Sequence, residues 1–430
     1  MSITPKILIR AIAIFTMAVY FLPVFANNLP GIFLYLRSSY FQLPLWFVLA
    51  FLTFPNLFAS KYLFPFYLFA FVFILGLGTF WEGRIIDEIG EVDLRWALID
   101  IHGAFLAVLM LFVFLKLQDY RGLAIVSICS LVFILFTSIT TIIGVSLFPG
   151  AVRQMIAVDG GGEMSEIYQR LGIAGYGFFA GIIFLFPILG YLIKNQAKKS
   201  VSFVFYIIVV FTLLYALFMT EFTTAFMLAV IFFLFSFIVQ KYFNRTIIAF
   251  SLIFIVSFFV FNEAIADFFY YLSVVNPVGE TISARFKDVG DIFFFGMLTP
   301  AADHTYFTSV RLFLSEKSLN MFLENPLIGA GWGGGHASWF DRLGMFGLLG
   351  FTPWILIFYQ QVKFNLSKFD KTYRNYYLTS VISCIFLGLI TTMANSIHAM
   401  LILFFVIPGL YFLPTLKKEK RINKQYPISD

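Results

Sequence analysis

GLAIVSICSLVFILFTSITTIIGVS, running from Gly122 to Ser146, contains no charged residue. At 1.5 Å per residue, a helix of that length exceeds the roughly 30 Å hydrocarbon core of a bilayer. A predominantly apolar run of that length without a charge reads as a membrane span. Working outward along the 430 residues, similar runs recur, each bounded by charge or by Pro, Gly and Asn. Twelve spans are expected, at about 7–26, 41–59, 62–80, 97–115, 122–146, 173–193, 201–219, 223–239, 246–262, 343–359, 375–394 and 399–414. The first is read as a retained helix, because Val24-Phe25-Ala26 is a poor small-x-small cleavage site.

The composition agrees. The chain is 60% hydrophobic and 12% charged, with a mean hydropathy of +0.91. That is about half the charge a soluble domain carries. A cytoplasmic enzyme and a nucleic-acid binder are excluded, since 60 Phe and 21 Tyr over so little charge would aggregate in water. The net charge of +6 matters less than where the cations sit. Cys129 and Cys384 both fall inside apolar runs and suggest neither a disulfide framework nor a metal site.

With twelve spans and the N-terminus inside, the basic residues sort to one face. Of 29 Lys and Arg, 19 lie in inner segments. They are Lys6 and Arg10; Lys61; Lys116 and Arg121; Lys194, Lys198 and Lys199; Lys241 and Arg245; Lys363, Lys368, Lys371 and Arg374; and Lys417, Lys418, Lys420, Arg421 and Lys424 in the tail. Only four of the 23 acids join them: Asp119, Asp370, Glu419 and Asp430. The positive-inside rule therefore puts both termini in the cytoplasm. The organisation expected is helices over 1–261, a large outer loop over 262–342, helices over 343–414 and a basic tail over 415–430. The inner loops are short and read as plain connections, whereas 81–96, 147–172 and above all 262–342 are longer outer segments. Loops of that length usually carry function, so the active face is expected to be extracytoplasmic. No internal repeat or inverted symmetry of the kind transporters show is visible.

Within the large loop, a helix is expected from Thr305 to Glu324, with Tyr306, Val310 and Met321 near a 3.6-residue period and Arg311, Ser315 and Ser318 on another face. Asn325-Pro326 ends it. Gly329-Ala-Gly331-Trp-Gly-Gly-Gly335 then supplies backbone that can adopt positive φ and approach a ligand closely, and His336 follows. The loop lacks the Gly-Lys-Ser/Thr ending of a Walker motif, and none of the four histidines is paired at metal-ligand spacing. Taken alone, a single His in a membrane protein is more often a hydrogen-bonded interfacial residue than a catalyst.

Arg311-Leu-Phe-Leu-Ser, Glu324-Asn-Pro-Leu-Ile-Gly-Ala-Gly331, His336-Ala-Ser-Trp-Phe-Asp-Arg-Leu-Gly344 and Gly347-Leu-Leu-Gly350 together resemble the signature of the bacterial O-antigen polymerase and ligase superfamily. Arg170-Leu-Gly172 is similar to the family's Arg-x-Gly before the sixth span. Where many members carry Ser-Arg-Thr at the outer start of the eighth span, this chain has Glu221-Phe-Thr-Thr-Ala225 and lacks the Arg. The resemblance implies an all-α, GT-C-like membrane glycosyltransferase. Its substrate would be a glycan on undecaprenyl diphosphate, moved to a sugar hydroxyl at the outer leaflet without nucleotide sugar, metal or other cofactor.

In that reading His336 and Arg311 carry the catalysis. Arg170, Arg285, Arg153, Gly329 and Gly331 bind substrate, the arginines taking the load of the missing one. Arginine suits the task because its fork grips phosphate oxygens bidentately and keeps its proton. A His could hydrogen-bond the diphosphate or accept the acceptor's proton. The partners implied are the lipid-linked oligosaccharide, membrane lipids, and a chain-length regulator and flippase, with no nucleic acid. Ala337-Ser338 after the His and Asp341 five residues on look more like polymerase members than the His-Asn-x-Tyr/Phe form of ligases, so a repeat-unit polymerase is expected ahead of a ligase. A flippase or transporter ranks third, because Asp100, His102 and Glu263 are the few ionisable residues near span interiors. Phe268-Phe-Tyr-Tyr271 reads as an interfacial aromatic belt.

Overall fold

The computed structural model describes residues 5–30, 35–36, 38–56, 61–76, 81, 85–86, 90–91, 94–157, 163–195, 200–222, 225–238, 262–275, 283, 287, 290, 307–330, 337–391 and 396–416. These are helical apart from a short antiparallel pair, Ile85–Ile86 with Gly90–Glu91. In chain order the helices used below are α1 (Pro5–Phe21), α2 (Pro23–Asn27), α3 (Ser39–Thr53), α4 (Phe64–Gly76), α5 (Leu94–Lys116), α6 (Tyr120–Leu147), α7 (Ala151–Ala157), α8 (Glu163–Arg170), α9 (Tyr176–Ile183) and α10 (Leu185–Lys194). They continue with α11 (Val201–Met219), α12 (Ala225–Ile238), α13 (Asn262–Val275), α14 (Phe307–Glu324), α15 (Ser338–Lys368), α16 (Lys371–Ile390) and α17 (Ile397–Leu410).

Among the described residues, three helices, α6, α11 and α15, are long and apolar enough to cross a membrane, and the bent pair α9 and α10 makes a fourth if taken as one span. α3, α4, α12 and α17 are apolar but shorter, and most of the expected ninth span lies outside the described residues. The expected span at 173–193 is bent by 42° at Phe184. Pro187 sits in the first turn of α10, where its ring opposes the carbonyl of Ile183 and it has no N–H to donate. α17 contains a π-helical turn, Ile402–Val406, just before Pro408. The carbonyl of Ile407 beside it accepts a hydrogen bond from the Tyr373 hydroxyl at 2.6 Å.

α5, α9, α10 and α17 form the centre. Every residue from Leu106 to Leu115 and from Ala399 to Leu410 is buried, which is how helices apolar on all faces are accommodated. α9 and α17 approach so closely that a Cβ on Gly181 would stand 2.9 Å from the Ala399 backbone nitrogen. The surrounding helices turn apolar faces outward, with Phe71, Ile143, Phe211 and Leu234 exposed. Only 33% of the apolar window of α11 is buried inside the protein.

At one end of the bundle Arg10 of α1 forks onto Asp119, with Nε to Oδ2 at 2.7 Å and Nη2 to Oδ1 at 2.5 Å, and Asp119 also caps α6 through the Gly122 N–H. Gln360 of α15 donates to the Lys61 carbonyl at 2.7 Å. At another end Asn28 donates to the Arg170 carbonyl at 3.1 Å and Ser396 to the Gly177 carbonyl at 2.7 Å.

Candidate functional site

The expected loop helix is present as α14, which is described from Phe307 and ends at Glu324. Beyond it the chain turns at Asn325-Pro326, closed by a bond from the Gly329 N–H to the Asn325 carbonyl at 2.8 Å. The following residues dock against a break in α15, where Gly347 has φ 58° and ψ −162°. A helix restarted after such a break exposes orphan N–H groups. Here those of Leu348 and Leu349 donate to the carbonyls of Pro326 and Leu327, both at 2.9 Å, while Ala330 donates to the Gly344 carbonyl at 2.8 Å.

Glycine is required on both sides. A Cβ on Gly329, where φ is 70°, would lie 2.6 Å from the Gly347 nitrogen, and a Cβ on Gly347 would lie 2.5 Å from the Gly329 nitrogen. Trp81 closes the joint from outside, donating from Nε1 to the Ile328 carbonyl at 2.8 Å and packing edge-on against Phe346. The Asn-Pro-Leu-x-Gly and Gly-x-x-Gly segments of the sequence signature are therefore one structural unit.

α15 begins at Ser338, five residues before the expected span. Ser338, Asp341 and Arg342 read as loop residues in the sequence, yet all three are buried because each has a tertiary partner. Asp341 accepts from the Ser318 hydroxyl of α14 and from the Ala337 N–H, both at 2.9 Å. Ser338 donates to the Thr391 carbonyl at 2.9 Å, and the Arg342 guanidinium lies 4.9 Å over the Trp354 ring while donating to the Ser338 carbonyl. Replacing Asp341 by Ala strips an acceptor from two buried donors and should destabilise the protein by about 2–4 kcal/mol. A thermal unfolding midpoint in detergent that equals wild type would contradict this structural role.

Arg311 lies on α14 seven residues, about two helical turns, before Ser318, and its side chain falls outside the description, as does that of Arg153 on α7. Gly331, His336 and Arg285 lie outside the described residues; His336 is the chain neighbour of Ala337. Arg170 ends α8, is exposed, and lies 3.5 Å from Glu166 one turn back. The structure thus brings Gly329 to Gly347 and ties the helix of Arg311 to the start of α15. Arg170 lies on a different element, at the contact of α8 with the residues after α2.

Its neighbour Gln169 lines a cavity of about 880 Å³ bounded by α1, α2, α3, α5, α9 and α17. Two histidines line it. His398 Nε2 donates to the Tyr20 carbonyl at 2.9 Å, and His102 Nε2 lies 3.4 Å from the Tyr20 hydroxyl. Nothing in the sequence singles out His398, and His102 reads there only as an ionisable residue near a span. Residues 20, 102, 169 and 398 share no local pattern and meet only through the helix packing. Comparison of the chain with protein-family models, with curated proteins and with solved structures finds no match.

Proposed function

We propose that the protein is a polymerase of lipid-linked oligosaccharide repeat units, building an O-antigen, capsule or exopolysaccharide in the bacterial inner membrane with its active face outside. In this reading the chain crosses the membrane twelve times with both termini cytoplasmic. The outward apolar faces suit lipid rather than water. Residues assigned to the inner side also meet one another, as Arg10 does Asp119 and Lys61 does Gln360.

One observation carries the reading furthest. The helix bearing Arg311 and the segment continuing from His336 are fastened together by the Ser318–Asp341 bond and by the interlocked turn at Gly329 and Gly347. A glycosyl transfer needs a cation at the departing diphosphate and a proton-handling group at the acceptor, held in fixed relation. In the proposed step, the bond between the sugar anomeric carbon of the donor and its diphosphate oxygen breaks while a bond to the acceptor hydroxyl forms. The diphosphate leaves as undecaprenyl diphosphate, and the hydroxyl proton is released to His336 or, if His336 binds the diphosphate, to solvent. Arg311, supported by Arg170, Arg285 and Arg153, stabilises the charge that builds on the leaving group, an effect far larger beside lipid than in water.

Deleting the gene tests the assignment. Loss of a polymerase leaves single repeats still passed to their final carrier, whereas long chains stranded on undecaprenyl diphosphate would mark a ligase. Topology is checked separately by an impermeant thiol label. Ser283→Cys should react in intact cells and Ser200→Cys only after permeabilisation, and the reverse pattern would overturn the orientation.

A further inference from the structure

We infer that the cavity between α1, α3, α5, α9 and α17 is a seat for the uncharged oligosaccharide portion of a lipid-linked substrate, an assignment that rests on the proposed reading. Its described lining carries no Asp, Glu, Lys or Arg, which suits an uncharged ligand. It presents Tyr20, Asn27, Tyr40, His102, Gln169 and His398, a set of aromatic rings, amides and imidazoles. Rings of this kind stack on the C–H faces of sugars, while amides, phenols and imidazoles exchange hydrogen bonds with hydroxyls in either direction. The volume of about 880 Å³ is in the range that holds a ligand larger than one sugar. The position is also apt, because Gln169 of the wall directly precedes Arg170, the cation proposed for a diphosphate, on α8.

Gly175 provides a clean test. It lines the cavity, has an extended backbone with φ −85° and ψ 174° that any residue adopts, and a Cβ there meets no atom within 4 Å. Gly175→Phe should therefore fill the cavity without disturbing the fold, and Gly175→Ala should leave it open. Gln169→Leu, at a half-buried position, removes one polar group from the wall. The full-length protein in nanodiscs is titrated with the oligosaccharide repeat hydrolysed from the surface polysaccharide of the cell that carries this chain, and in parallel with decaprenol. The expected result is that the oligosaccharide binds wild type and Gly175→Ala, at least tenfold more weakly to Gln169→Leu and to Gly175→Phe, and that decaprenol does not compete. Absence of oligosaccharide binding, unchanged affinity in Gly175→Phe, or displacement by decaprenol would overturn the assignment. Stranded long chains in the deletion strain would instead remove the polymerase reading while leaving a glycan-binding cavity standing.

Discussion

Gly347→Ala should leave little folded protein. With φ 58° and ψ −162°, Gly347 occupies backbone space that is essentially glycine's alone, and a side chain there costs about 1–3 kcal/mol in strain. The added Cβ would also stand 2.5–2.6 Å from backbone atoms of Gly329 and Leu327, which cannot rotate away as a side chain would. Relief requires the turn to lift off the helix, loosening the bonds from Leu348, Leu349 and Ala330 that satisfy the break. The sum is about 4 kcal/mol or more, a large part of the 5–15 kcal/mol that holds a typical domain. The readout is the monodisperse yield and unfolding midpoint after detergent extraction, with Gly175→Ala as the control. Wild-type behaviour of Gly347→Ala would mean that the interlock is wrong.

Arg311→Lys should abolish most product while leaving the protein folded. The substitution keeps the charge and loses the planar fork, so it separates bidentate phosphate binding from general electrostatics. A desolvated contact of that type is worth about 2–5 kcal/mol, which corresponds to roughly 30-fold to several-thousand-fold slower transfer, whereas an exposed headgroup contact changes the rate by no more than a few-fold. Polysaccharide length and amount, measured at equal protein level, decide between them. His336→Ala should likewise remove the length ladder, and a normal ladder from either variant contradicts the role given to that residue.

The parts of this architecture legible in the sequence are those set by local pattern. α6 and α11 follow from uninterrupted apolar runs, α14 from its periodicity and the Asn325-Pro326 stop, and the glycines at 329 and 347 from the resemblance. What was not legible depends on partners remote in sequence. α15 extends five residues ahead of the expected span, where Ser338, Asp341 and Arg342 look solvated in the sequence until Thr391, Ser318 and Trp354 are seen to bury them. The bend at Phe184 had a local cause in Pro187, outweighed in the reading by the apolar run around it. The cavity left no trace in the sequence, since a histidine on α5 and another on α17 come to line one cavity only through their separate contacts with Tyr20.

Reconstitution tests the proposed activity most directly. The purified chain in liposomes, supplied only with undecaprenyl-diphosphate-linked single repeats, should convert them into a ladder of longer lipid-linked chains and release one undecaprenyl diphosphate per bond formed. Single repeats that persist unchanged beside a competent, folded protein, or that move only when a lipid A core acceptor is added, would contradict the polymerase assignment.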